Sequence, residues 1–476
     1  MKLAALPGIE VGGLAYDSRR VTPGDVFVAL RGLKAAGADY AVEAVRRGAV
    51  AVVADLPADV APGVPWVIVP DARAAMAAMA TELYGHPSRS MQVVGITGTN
   101  GKTTTAYLLR TVFESAGKKC GLLGTVAYSI GDQELPASRT TPEAPDVQRM
   151  FRQMVDAGCA ACVMEVSSHA LALRRVDGTT FAAGVFTNLT RDHLDYHGDM
   201  ESYFAAKRRL FEMLPPGAPA VINLDDPRGE SLRKAVGTAV TYAINKPADV
   251  TPGPLALTFG GLEFDARTPK GNVHVKSRLV GRPNVSNVLA TVATATALDI
   301  PAAAIERGLA RLSGVPGRFE LVSSSDDDVT VVIDYAHTDD ALKNLLETAR
   351  PLAPRRVITV FGCGGDRDRT KRPLMGAVAA RLSDIVVMTS DNPRTEDPAR
   401  IIEEIKRGVP PPSDRSGATF TILDRKEAIQ FAIKKAEPGD LVLLAGKGHE
   451  QTQTIGSQEL PFDEAAIARE ALERRR

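Results

Sequence analysis

The sequence predicts an α/β protein of three domains with mostly parallel sheets. Three observations carry that expectation. The chain has 476 residues, which at roughly 100–200 residues per domain corresponds to about three domains, each long enough to bury a core. Short apolar runs alternate with helical stretches, the pattern of parallel strands joined by helical crossovers. Gly- and Pro-containing interruptions fall at Gly85–Ser90 and Leu312–Gly317, and they set expected units of 1–88, 89–314 and 315–476.

In the first unit, strand candidates VFVAL from Val26, AVAVVAD and WVIV surround a helical stretch near Tyr40–Arg47, and an alanine-rich helix follows over Asp71–Tyr84. The second opens with the β-rich run MQVVGIT, a Gly- and Thr-rich loop and a helix from Thr103 to Ala116. Its further strand candidates are CVMEV, GVFTNL and AVINLD, and a helix begins near Ala302. The third alternates VTVVIDY, RVITVFG, DIVVMTS, FTIL and LVLLAG with helices near Asp340, Pro373, Pro398 and Lys426. Polar residues and glycines follow the strand ends, where open α/β sheets hold ligands. The acidic run Asp326–Asp328 and the segment VPPPSDRSG read as solvated loops.

Composition narrows the function classes. Lys plus Arg and Asp plus Glu both number 57, so no overall field draws the chain to nucleic acid or anionic lipid, and any anion site is local. The sequence has no apolar run long enough to span a bilayer and no secretory signal pattern, which predicts a cytoplasmic protein without a membrane partner. Its four cysteines are too scattered for a disulfide framework, and Cys159-x-x-Cys162 lacks a second metal-binding pair, so core packing is expected there.

The strongest chemical signal is GITGTNGKTTT, Gly95–Thr105, between a strand and a helix. Gly98 and Gly101 allow close backbone approach to phosphate, the helix N-terminus supplies N–H donors, Lys102 supplies a charge, and the Thr103 hydroxyl suits magnesium. A strict G-x-x-x-x-G-K-[ST] loop would have glycine at Ile96, so the generic motif is imperfect.

The form T-G-T-N-G-K-T-T resembles the ATP loop of the Mur ligases, the amide-forming enzymes of peptidoglycan precursor synthesis. Further blocks follow in family order from end to end: DSR at Asp17–Arg19, RTTPE at Arg139–Glu143, MEVSSHAL at Met164–Leu171, TNLTRDHLDYHG at Thr187–Gly198, GRPNVSNVLA, GVPGRFE, DYAHTDDAL, DNPRTEDP and AGKGHE. They most resemble the branch that adds the third stem residue to UDP-N-acetylmuramoyl-L-alanyl-D-glutamate. The resemblance implies a small N-terminal uridine-binding domain, a central P-loop-type ATPase domain and a C-terminal Rossmann-like domain for the incoming amino acid. It also implies ATP and Mg2+ as cofactors and activation of a D-glutamyl carboxylate as an acyl phosphate. The chain is expected to act as a monomer.

By the same resemblance, ATP would be bound by Gly98, Thr99, Asn100, Gly101, Lys102, Thr103 and Thr104, with Asn284, Arg318, Asp334 and His337 from later blocks. Arg318 follows the hinge candidate Pro316-Gly317, so closure of the third domain would bring it to the nucleotide. Catalysis would use Lys102, Glu165, His193 and Lys207, with Thr103 on one magnesium, Glu165 and His193 on a second, and Lys207, as a carbamate, supporting the metal site. On composition Lys207 is an ordinary helix lysine beside Arg208 and Arg209; in the family the matching lysine is carbamylated, a step favoured where neighbouring cations disfavour protonation. Ser18 and Arg19 would meet uridine, and Thr140, Thr141, Ser167 and Arg175 the muramoyl peptide.

DNPRTEDP resembles the block of enzymes that add meso-diaminopimelate rather than L-lysine. Arg394 offers a fork for the distal carboxylate that lysine lacks, and an unpaired site of this kind can discriminate by roughly 10⁴–10⁵. Arg367 would hold the other carboxylate, with Asp391, Asn392, Pro393, Gly446 and Glu450 around the amino groups. The rivals are the lysine-adding relative, a folylpolyglutamate synthetase sharing the ATP loop, and a nucleotide-binding scaffold without turnover. His86, His197 and His274 have no role in this reading. Pro283 replaces a frequent aromatic and Asp339 a frequent proline, which leaves adenine packing the loosest part of the carry-over.

Overall fold

A computed structural model describes residues 8–32, 36–57, 63–411 and 417–475. Residues 412–416 of the expected VPPPSDRSG loop lie outside the described residues, as do residues 1–7 at the start of the chain. Asp326–Asp328 is a largely exposed turn, and Asp328 pairs with Arg475 at 2.7 Å.

The first sheet is parallel and runs in chain order, Gly13–Ala15, Asp25–Ala29, Ala51–Ala54 and Trp66–Ile68. Helix Ala72–Leu83 covers one face, its N-terminus capped by the Asp71 carboxylate, which accepts from Ala74 N.

The central sheet has eight strands in the order Ala239–Tyr242, Ala220–Asn223, Ala183–Phe186, Gln92–Thr97, Ala161–Glu165, Cys120–Leu123, Ala127–Ile130 and Gln133–Pro136. Its first six are parallel and the last two form an antiparallel edge hairpin. Alternation along Gln92–Thr97 divides the core: Val94 and Ile96 face one apolar cluster and Val93 the other, as a period of two requires of a strand buried on both faces. Helix Lys102–Ser115 packs on the first face against helices Arg282–Ala297 and Ala302–Arg311.

The antiparallel sheet formed by residues 251–277 has no counterpart in the sequence reading. Its signal is present all the same: Leu262, Phe264 and Ala266 are buried while Glu263 and Asp265 are exposed, and Val273 and Val275 alternate with Asn272, His274 and Lys276. His274 lies on the solvent face, 2.9 Å from Asp265.

The C-terminal sheet runs Glu320–Leu321, Thr330–Asp334, Leu441–Ala445, Val357–Phe361, Ile385–Met388 and Ala418–Thr421, parallel apart from its first short strand. Leu441–Ala445 inserts between two earlier strands, which creates a crevice at their carboxyl ends. A hairpin, Thr452–Ile455 with Gln458–Pro461, and helix Glu464–Glu473 complete the chain and were not anticipated. All four cysteines are buried free thiols, and Cys159 and Cys162 lie in one apolar cluster, as core packing requires. Among the described residues no helix is long and apolar enough to cross a membrane.

The seating of the Lys102–Ser115 helix depends on Gly308, where a Cβ would lie 2.5 Å from Val112 Cα. Gly308→Val should cost about 1–3 kcal/mol through overpacking, read as a lower denaturation midpoint; an unchanged midpoint would show that this contact does not constrain the helix.

Candidate active site

The phosphate loop links strand Gln92–Thr97 to helix Lys102–Ser115, and its glycines are dictated by space as well as by backbone angle. Gly98 and Gly101 have φ of 150° and 86°, and a Cβ would collide with Thr187 Oγ1 at the first and with Asn287 Oδ1 at the second. The N-cap is Gly101, which offers no side-chain cap, and this leaves first-turn N–H groups for an anion. The segment after strand Ala183–Phe186 clamps the loop: Thr187 Oγ1 donates to Asn100 O at 2.6 Å, Asn188 Oδ1 accepts from Asn100 N at 2.9 Å, and Thr99 Oγ1 donates to Thr190 O at 3.1 Å.

Two lysines converge on one carbonyl. Lys102 Nζ donates to Gly98 O at 3.0 Å and to Thr99 O at 2.8 Å, and Lys207 Nζ donates to Gly98 O at 2.7 Å. Burial lowers the Lys102 ammonium, partly offset by Glu165. Lys207 is 2% exposed, and burial, then the Lys102 charge, push its ammonium well below the usual lysine range. The cation beside Lys207 is therefore Lys102. Arg208 pairs with Glu212 and Arg209 with Asp177, so the sequence neighbours are engaged elsewhere.

Glu165 ends strand Ala161–Glu165 with a carboxylate 1% exposed. Its Oε2 accepts from Thr103 Oγ1 and Thr125 Oγ1, each at 3.0 Å, and its Oε1 from Thr125 N at 2.8 Å. Sequence reasoning missed Thr125, although a threonine following the Cys120–Leu123 strand and its glycine was the available signal. This oxygen-only set fits a hard cation. Among the described residues no three or more His, Cys, Asp and Glu gather as a ready cage. His193 has φ 54°, and burial pushes its imidazole down to about 3 against the opposing effect of Asp192. The shift favours the neutral imidazole, which can offer a lone pair.

The third domain closes over this loop. Arg318 Nη2 donates to Thr103 Oγ1 at 3.2 Å with its guanidinium 4.5 Å from the Tyr335 ring centre, and Asn100 Nδ2 donates to Asp340 Oδ2 at 3.2 Å. Asp334 holds the Arg318 turn by accepting from Phe319 N at 2.7 Å and from Ala336 N at 2.9 Å. A cavity of about 280 Å³ results, lined by Thr99–Thr104, Thr140, Glu165, Ser167, His193, Asn284, Arg318, Asp334 and His337. Pro283, Ala341 and Leu345 form part of an apolar wall, on the side where the missing aromatic left adenine packing loosest.

Thr141 and Arg175 sit behind the cavity. Thr141 Oγ1 donates to Glu165 O at 2.8 Å, Ser167 caps helix Ser168–Ala172, and Arg175 pairs with Glu143 at 2.9 Å while donating to Thr141 O at 3.1 Å. Ser18 and Arg19 lie apart in the first domain: Ser18 is buried with its hydroxyl toward Glu43, and the Arg19 side chain is 79% exposed and paired with Asp17. His197 Nε2 lies 2.9 Å from Ser168 Oγ, and His86 pairs with Glu82 at 3.2 Å.

A second cluster gathers at the ends of the C-terminal strands. Arg394 has φ 51°; its Nη1 donates to Gly365 O at 2.7 Å and its N to Thr454 O at 3.1 Å, so the unanticipated hairpin braces the DNPR turn. Arg367 donates to Asp366 O at 2.9 Å. Asn392 Nδ2 donates to Glu450 Oε2 at 2.8 Å, and buried Lys447, which sequence reasoning also missed, donates to Asn392 Oδ1 at 3.1 Å and to Glu450 at 3.0 Å. Among the described residues Asp391 Oδ2 is buried with no hydrogen-bond partner, beside Gly446, where a Cβ would lie 2.8 Å away. A buried carboxylate oxygen in that state suits an incoming ammonium.

Residues 10–84 match the Mur ligase family catalytic domain, 96–295 the Mur ligase middle domain and 317–448 the Mur ligase glutamate ligase domain. The chain is 48% identical over 489 aligned residues to a UDP-N-acetylmuramoyl-L-alanyl-D-glutamate–2,6-diaminopimelate ligase of Geobacillus thermodenitrificans, covering 100% of this chain and 99% of the relative. A solved structure of a UDP-N-acetylmuramoyl-L-alanyl-D-glutamate–2,6-diaminopimelate ligase is similar at TM-score 0.68 and 34% identity over 98% of this chain and 95% of that one. A MurF ligase from Thermotoga maritima in complex with ADP shares the fold, at TM-score 0.68 and 19% identity over 99% and 100%. With a phosphate loop, a closing arginine and family matches in all three parts of its length, the chain belongs to the Mur ligase family.

Proposed function

We propose that this chain uses ATP to join meso-2,6-diaminopimelate to the D-glutamate of UDP-N-acetylmuramoyl-L-alanyl-D-glutamate, an amide-forming step of peptidoglycan precursor synthesis. The observation that carries it is the junction of two domains: Arg318 reaches Thr103 across the cleft, and Arg191 meets Asp368, the neighbour of Arg367, at 3.3 Å, which supports a nucleotide loop and an acceptor cluster working together. In this reading residues 1–88 bind the uridine end, 89–314 bind ATP and 315–476 present the amino acid.

A carboxylate oxygen of the D-glutamyl group attacks the γ-phosphorus, and the bond to the bridging oxygen breaks to release ADP and leave an acyl phosphate. The amine of diaminopimelate, having shed a proton, then attacks the acyl carbon and expels phosphate. Both reactants of the first step are anions, so the site must supply positive charge that does not need to reorganise. Lys102, the helix N-terminus and Arg318 do so in this reading. One Mg2+ on Thr103 and a second held by Glu165 and His193 would add Lewis-acid neutralisation of phosphate oxygens. Burial keeps Lys207 available as a free amine, whose nitrogen attacks carbon dioxide and loses a proton to give a carbamate; that anion would complete the metal surroundings. Thr140 and Ser167 face the substrate peptide, and Ser18 and Arg19 the uridine.

The amine acceptor is chosen by charge. Asp391, Asn392 and Glu450 address ammonium ends, and Arg367 and Arg394 the carboxylates. L-lysine has one carboxylate fewer and leaves a guanidinium unmatched.

ADP release with ATP, magnesium and the UDP-linked dipeptide should occur with meso-diaminopimelate and not with L-lysine; release with lysine alone would overturn the acceptor assignment, and release with neither the ligase reading. A carbamate carbon signal should appear in 13C-bicarbonate and vanish in Lys207→Ala, whose turnover should fall on the order of 10–100-fold. A folded Lys207→Ala with full activity at low bicarbonate would overturn the Lys207 role.

A further inference from the structure

Behind the Arg367 and Arg394 turns lies a buried charge network that the steps above do not use. Arg372, in helix Lys371–Leu382, is 0% exposed. Its guanidinium donates to both oxygens of Glu396 at 2.8 and 2.9 Å, to Glu404 Oε2 at 2.8 Å and to Gly364 O at 3.1 Å. Glu396 Oε1 also accepts from Asp366 N at 2.6 Å. One side chain therefore ties the loop carrying Arg367 to the loop carrying Arg394.

The two loops are in direct contact. Thr395 Oγ1 donates to Asp366 at 2.8 Å, Arg394 Nη1 donates to Gly365 O at 2.7 Å, and a Cβ on Gly365 would collide with Pro393 O. A Cβ on Gly364 would lie 3.0 Å from Arg394 Nη1 and 3.8 Å from Arg367 Cγ. Asp366 and Arg394 both hold left-handed backbone, with φ of 53° and 51°, a conformation that persists only where surrounding structure imposes it. Two guanidiniums carried on adjoining turns also repel each other. The Arg372–Glu396 fork is the rigid, bidentate pair that can hold both turns against these costs.

We propose that Arg372 is a positioning residue for the incoming amino acid: it fixes the spacing of Arg367 and Arg394 and thereby the preference for an acceptor with two carboxylates. The assignment rests on the diaminopimelate reading given above. It touches no reacting atom and acts through the two turns alone.

The test is steady-state kinetics of the full chain carrying Glu396→Gln, which keeps the shape and one acceptor, and Arg372→Lys, which keeps the charge and loses the fork. KM for diaminopimelate should rise about tenfold or more, the preference over L-lysine should fall, and KM for ATP and for the UDP-linked dipeptide should stay within about twofold. Unchanged diaminopimelate KM, a parallel rise in all three constants, or failure of both variants to fold would overturn the positioning role in favour of a purely structural one. Absence of diaminopimelate-dependent ADP release by the unaltered chain would instead overturn the reading beneath it, so the two failures are distinct.

Discussion

The half-buried Lys102 and the buried Lys207 meet on the carbonyl of Gly98, and the electrostatics of the site depend on that convergence. Two ammoniums in so poorly solvated a place would be costly, and burial together with the Lys102 charge pushes Lys207 well below the usual lysine range. The charge left on Lys102 becomes an asset when anions arrive, because a phosphate or carboxylate then meets positive charge already fixed in place. The surrounding structure serves to maintain it. Strand Gln92–Thr97 delivers the loop, Thr187 and Asn188 hold its backbone from the neighbouring strand, and Glu165 supplies a single carboxylate to which the Thr103 and Thr125 hydroxyls attach.

The same economy extends across the domains. The central domain holds phosphate-binding groups, and the C-terminal domain brings Arg318 and Asp340 to them. Arg191 of the central domain meets Asp368 at 3.3 Å, one residue beyond Arg367. The phosphate loop and the turn carrying Arg367 are thus joined by direct contacts between the two domains.

The phosphate loop was legible because its chemistry lies in consecutive residues, each with a local reason to be there. The parallel strands were legible because burial on both faces produces short continuous apolar runs. The 251–277 sheet was missed although GLEFDART and GNVHVKS alternate cleanly, since a half-exposed strand carries a weaker signal than a buried one beside it. Lys447 and Arg372 were invisible for another reason. A charged residue on a helix or in a turn ordinarily reads as solvated, and only long-range partners such as Asn392 and Glu396 put these two in the interior. Lys207 was placed by family resemblance, whereas the physical cause of its altered basicity, burial beside Lys102, required the fold.

The crowding around Gly98 and Gly101 bears on how this surface can drift. Any side chain at these positions meets Thr187 Oγ1 or Asn287 Oδ1, and both glycines have backbone angles that other residues rarely adopt. A single substitution at either is therefore penalised twice, by space and by backbone, and trimming Thr187 or Asn287 relieves only the first. A small molecule that rests on the bare loop backbone would press against a patch with few one-step routes of escape.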